Sequence, residues 1–150
     1  MKESLKLKEF LPYRLSVLSN RISRDIARDY QARFSITIPE WRVMAILGEA
    51  GGLSASAVAK STAMDKVAVS RAVARLEAVK FITRKIDRTD KRRTFLSLSP
   101  KGREIYRQVV PVALAYEADI LRKLTPEDAR QLDQLLHKLT DIQAAFANDP

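Results

Sequence analysis

Thirteen lysines and arginines stand between Ser54 and Arg103, opposed only by Asp65, Glu77, Asp87 and Asp90, so this segment carries +9. The 150-residue chain holds 27 basic and 18 acidic residues. Outside the segment the two signs balance, fourteen against fourteen. An excess confined to one third of a chain is the electrostatic footprint of a polyanion site. Other chemistry is poorly provided for. With no cysteine there is no disulfide, thiolate zinc site or redox thiol. His137 is the sole histidine, which disfavours a multi-histidine metal site and a Ser-His-Asp triad. No Gly-rich phosphate loop is present, and Ser54, Ser70 and Ser99 each have a role as caps or polar contacts. The expectation is therefore binding, with no catalytic residue, no metal and no cofactor.

Positioning those charges requires a folded frame, and the apolar spacing supplies one. Hydrophobic residues are 46% of the chain and charged residues 30%, a globular composition. No run approaches the roughly 18 apolar residues of a membrane span. The opening Met1 to Glu9 is charged every few residues, so a secretory signal is not expected and a cytoplasmic chain is. Leu11, Leu15, Leu18, Ile22, Ile26 and Tyr30 recur at spacings of three and four, one face of a long helix ending near Phe34. Pro39 and Glu40 open a second helix that the Gly51-Gly52 pair closes. Ser54 caps a short helix running to about Ser61. After a break at Thr62 to Met64, Asp65 caps another, with Val69, Ala72, Val73 and Leu76 as its buried stripe. Phe81 to Thr83 and Thr94 to Leu98 read as strands, joined by a charged loop from Arg84 to Arg93. Ser99-Pro100 starts a helix that Pro111 is expected to kink or interrupt. Thr125-Pro126-Glu127-Asp128 starts the last, with Leu132, Leu135, Leu136, Leu139, Ile142 and Phe146 on its apolar side.

Two short helices with a tight break, then a basic hairpin, form a winged helix-turn-helix pattern. The stripe that buries the second helix leaves Lys66, Val67, Ser70, Arg71, Ala74 and Arg75 facing outward. Ser70 and Arg71 suit base edges or phosphate, and Val67 or Ala68 a thymine methyl. From Lys80 to Arg93 there are seven basic and two acidic residues. Arg84, Arg88, Arg92 and Arg93 are candidates for backbone or minor-groove contacts. Asp90 is expected to hold the Arg92 or Arg88 side chain in one rotamer.

The run Asp90-Lys91-Arg92-Arg93-Thr94-Phe95-Leu96-Ser97-Leu98-Ser99-Pro100-Lys101-Gly102 resembles the wing signature of the MarR family, an Asp-x-Arg before a strand and a following glycine. Val69-Ser70-Arg71-Ala72-Val73-Ala74-Arg75-Leu76-Glu77 resembles its recognition helix. Tyr13-Arg14-Leu15 and Ile38 to Met44 are similar to its first two helices. Lys80 stands where that family often has glycine, and Ala63 where helix-turn-helix turns favour it.

The resemblance implies a mainly α fold with a small β-hairpin wing, in one domain over residues 1–150. Within it, 38–100 would be the winged helix-turn-helix, and 11–34 and 101–147 dimerisation helices. It implies a homodimeric regulator whose partner is double-stranded DNA and that represses from a pseudo-palindromic operator until a small effector releases it. The effector would be aromatic or anionic, held in a crevice by Tyr13, Arg14, Arg21, Trp41 and Arg42. A ligand-independent architectural DNA-binding protein is the alternative, and His137 is expected at a surface or interface.

Overall fold

The computed structural model describes residues 4–148. Met1, Lys2 and Glu3 lie outside the described residues, as do the last two of the chain, so the expectation for the opening segment is followed only from Ser4. The chain forms two compact units, Met1–Val112 and Ala113–Pro150.

In the first unit, α1 (Leu11–Phe34) takes Pro12 in its first turn, where a missing N–H costs nothing. It ends at Ser35 in the left-handed region. Only the carboxy-terminal half of its apolar stripe is covered: Ala27 and Tyr30 are buried, whereas Leu11, Leu15 and Leu18 are exposed. Helix α2 (Ile38–Glu49) begins with a reciprocal cap. Thr37 Oγ1 accepts from the Glu40 amide at 3.3 Å, and Glu40 Oε2 accepts from the Thr37 amide at 3.0 Å. Its Val43, Met44 and Leu47 are fully buried and form the centre of the core. The helix stops at Glu49, two residues before the glycine pair expected to end it.

Helices α3 (Ala55–Thr62) and α4 (Lys66–Ala78) follow. Ser54 Oγ accepts from the Ala57 amide at 3.1 Å, and Asp65 Oδ1 from the Ala68 amide at 2.8 Å. Both caps are those the sequence indicates. Val69, Ala72, Val73 and Leu76 are buried as expected. Strands β1 (Ile82–Ile86) and β2 (Thr94–Leu98) pair antiparallel, with Ile82 opposite Leu98 and Ile86 opposite Thr94. The expected loop is therefore shorter, because Arg84 to Ile86 are strand. Leu53 adds a bridge to β2, exchanging backbone hydrogen bonds with Leu96.

Helix α5 (Pro100–Leu121) is continuous through Pro111, so the expected interruption is absent. Arg107, whose carbonyl loses its donor to the proline, is exposed and open to water. In the second unit, α6 (Pro126–Ala147) is capped by Thr125, whose Oγ1 accepts from the Asp128 amide at 3.1 Å. None of its residues is buried.

The start of α5 is stapled to the hairpin. Ser99 Oγ donates to the Lys80 carbonyl at 2.7 Å and accepts from the Gly102 amide at 3.0 Å. A Cβ on Gly102 would run into the Phe81 carbonyl oxygen, a backbone atom that cannot step aside. Gly102→Ala should therefore destabilise the protein by about 1–3 kcal/mol through overpacking. Thermal melting followed by circular dichroism checks this: the expected fall in Tm is roughly 3–10 °C, and an unchanged Tm contradicts the close approach.

Candidate nucleic-acid interface

Burial of one α4 stripe decides what the helix presents. Lys66, Val67, Ser70, Arg71, Ala74 and Arg75 are all exposed, as the sequence reading requires. Over 13 residues α4 is about 20 Å long. An α-helix fits the major groove, roughly 12 Å wide. Among the described residues, Lys66, Arg71 and Arg75 make no ion pair, so their charges are available to an external anion. Between α3 and α4 lies an open groove of 340 Å3. Its walls are the small side chains of Ala55, Ser56, Ala59, Ser70 and Ala74, and Glu77 and Arg84 line it too.

The wing tip folds on its own carboxylates. Asp87 Oδ1 accepts from the Thr89 amide at 2.9 Å and from Thr89 Oγ1 at 2.8 Å. The Asp87 amide donates to the Arg93 carbonyl at 2.9 Å, closing the loop. Asp90 corrects its sequence expectation. Its Oδ1 accepts from the Arg92 backbone amide at 3.0 Å and does not hold an arginine side chain. A short carboxylate reaches the amide two residues on more easily than it orders a long guanidinium. Arg88, Arg92 and Arg93 are exposed on this scaffold. Arg84 is placed differently, its guanidinium bonded to Glu77 and Thr94. The sequence places Glu77 at the end of the recognition-helix run and assigns it no partner. The signal was its position as the one acid within a basic helix.

The five candidate effector residues are not drawn together by one chain. Trp41 is sandwiched between Tyr30 and Tyr106, with ring centroids 5.6 and 5.9 Å away. Burial pushes the Tyr30 phenol up to about 12, and the neighbouring Arg42 charge offsets part of that. Tyr13 and Arg14 are exposed near the start of α1. They sit some 25 Å along the helix from Tyr30, because an α-helix rises about 1.5 Å per residue. Arg21 lies on the outer face of α1 beside Arg24 and Arg28. His137 is exposed on α6, its Nδ1 2.8 Å from the Asp133 carbonyl oxygen.

An outward helix of unpaired cations beside a basic two-stranded wing defines a winged helix-turn-helix DNA-binding protein. Comparison with known proteins makes the likeness specific: residues 34–93 match the MarR family model. The transcriptional regulator HosA of Escherichia coli O157:H7 is 25% identical over 121 residues, spanning 77% of this chain and 90% of that protein. A MarR/EmrR family transcriptional regulator from Acinetobacter sp. ADP1 superposes with a TM-score of 0.84 at 27% identity, over 94% of this chain and 99% of that one. The Staphylococcus aureus MepR–DNA complex shares the fold, with a TM-score of 0.78 at 22% identity, over 88% and 97% of the two chains. The protein is thus a DNA-binding transcriptional regulator, and the family and its neighbours are regulators, not enzymes. Among the described residues no helix is long and apolar enough to cross a membrane.

Hydrogen bonds from Thr89 hold the Asp87 carboxyl below the usual carboxylate range. A group depressed on folding contributes order that is complete above its unfolded value and lost as pH falls through the folded one. The wing-tip turn should accordingly survive mild acid and loosen only below the ordinary aspartate range. Exchange of the Thr89 amide, followed by NMR through an acid titration, checks this; loss of protection already near pH 5 contradicts it.

Proposed function

We propose that this regulator acts as a homodimer on a pseudo-palindromic operator and represses transcription there. In this reading 38–100 reads DNA, while 11–34 and 101–147 form the dimer. The observation that carries it is apolar surface left uncovered by the chain's own core. Leu11, Leu15 and Leu18 on α1 are 43–57% exposed, and Leu132, Leu135, Leu136, Leu139, Ile142 and Phe146 on α6 are 37–70% exposed. Covering each contributes roughly 1 kcal/mol. Doubled across a two-fold axis, these side chains supply on the order of 20 kcal/mol, above the ~4–15 kcal/mol cost of association. Two recognition helices related by that axis would meet half-sites one helical turn apart, about 10 base pairs. Lys66, Val67, Ser70, Arg71 and Arg75 would contact the major groove, and Arg88, Arg92 and Arg93 the flanks.

Release by a small aromatic or anionic effector belongs to the same proposal. Such a molecule acts only through better affinity for the arrangement that does not fit DNA. Tyr13, Arg14, Arg21, Trp41 and Arg42 remain its candidate contacts, and their separation along one chain favours a site completed by the second subunit. The scatter also favours the ligand-independent architectural reading, which a thermal-shift screen of aromatic carboxylates distinguishes.

The dimer is tested by Leu135→Glu with Leu139→Glu, two exposed positions one turn apart on α6. Sedimentation velocity should show a monomer, and footprinting should show loss of the two-half-site pattern. A variant that stays dimeric and footprints normally overturns the assignment of α6.

A further inference from the structure

Arg84 counts among the basic residues of the charged segment, yet its guanidinium is already occupied. Its Nε donates to Glu77 Oε1 at 2.8 Å and its Nη2 to Oε2 at 3.5 Å. Nη1 donates to Thr94 Oγ1 at 3.2 Å. One planar group therefore ties the last turn of α4 to both strands of the wing. Among the described residues it is the one basic side chain between Ser54 and Arg103 in an ion pair. We propose that Glu77 and Arg84 form a strut setting the angle between the recognition helix and the wing. Glu77 is then a positioning residue for DNA binding, and Arg84 is its partner and makes no phosphate contact. This rests on the winged-helix DNA-binding reading.

Two observations point the same way. An acid beside a polyanion site opposes binding, so Glu77 needs a compensating role. The base of the wing is held by the Phe81 amide on the Leu76 carbonyl and by Ser99 on the Lys80 carbonyl, and the Glu77–Arg84 pair is the side-chain tie that reaches from α4 onto the strands. Only Val79 to Phe81 separate α4 from β1, and Lys80 in that link is left-handed, at φ 63°. A five-residue strand extends about 17 Å, so a ~10° change at the link moves the tip by about 3 Å. That is enough to lift an arginine off its contact. Arg's rigid fork suits such a brace better than a flexible ammonium would.

The sign of one substitution separates the strut from a phosphate contact. If Arg84 touched DNA, Glu77→Ala would free it and remove a negative charge, and binding would tighten. The strut predicts the reverse. Using a duplex selected from a random pool by the unmodified protein, Glu77→Ala should weaken binding about threefold or more. Arg84→Ala should match it, and the double variant should be no worse than either. The exchanged pair, Glu77→Arg with Arg84→Glu, should recover most of the affinity, which a lost phosphate contact would not allow. Circular dichroism melts accompany each titration, and the exchanged pair decides the matter if Glu77→Ala fails to fold. The strut is overturned if folded Glu77→Ala binds as tightly as the parent or tighter, or if the folded exchanged pair does not recover. A parent that occupies a single half-site overturns the dimer and leaves this comparison intact.

Discussion

The burial of Val69, Ala72, Val73 and Leu76 against α2 is the constraint from which the rest of the DNA-reading surface follows. Four residues at helical spacing fix the rotation of α4 about its own axis. Once they face Val43, Met44 and Leu47, the residues between them have no choice but solvent. Lys66, Ser70, Arg71 and Arg75 are outward because their neighbours are inward. Substituting the outward residues can change the surface presented to DNA without disturbing the core.

The acids of the charged segment explain how so basic a region stays ordered. Asp65 caps α4, Asp87 and Asp90 close the wing tip, and Glu77 holds Arg84. Only Glu77 pairs with an arginine; the three aspartates are spent on backbone amides. Like-charge repulsion along the hairpin would otherwise favour an extended loop, and local carboxylate-to-amide bonds answer it over short distances. The cations stay free while the backbone beneath them is fixed.

Much of this was legible because local chemistry decided it. Ser54, Asp65 and Thr125 announced their helices, and each accepts the expected amide. Ala63 and Lys80, the two places where glycine was missed, do adopt left-handed backbone, at φ 52° and 63°. What local chemistry did not decide was not legible. Arg84 to Ile86 look like a loop by composition, and only pairing with β2 draws them into a strand. Glu77 and Arg84 meet across a turn that periodicity does not describe. The proposed effector residues were grouped by type, and a continuous α1 holds Tyr13 far from Trp41. The uncovered faces of α1 and α6 were visible as stripes, but the spacing did not say whether the same chain would cover them.

The central claim is that one folded unit carries two elements with different tasks, a helix that distinguishes bases and a wing that holds the duplex. Selection of bound sequences from a random duplex pool, run in parallel for Arg71→Ala and Arg92→Ala, tests it most directly. Arg71→Ala should alter the preferred central bases, at a cost of about 1–3 kcal/mol if a bidentate contact is lost. Arg92→Ala should weaken binding across sequences and relax the flanks, leaving the centre unchanged. Identical profiles for the two variants, or a central change produced by Arg92→Ala alone, would contradict the account.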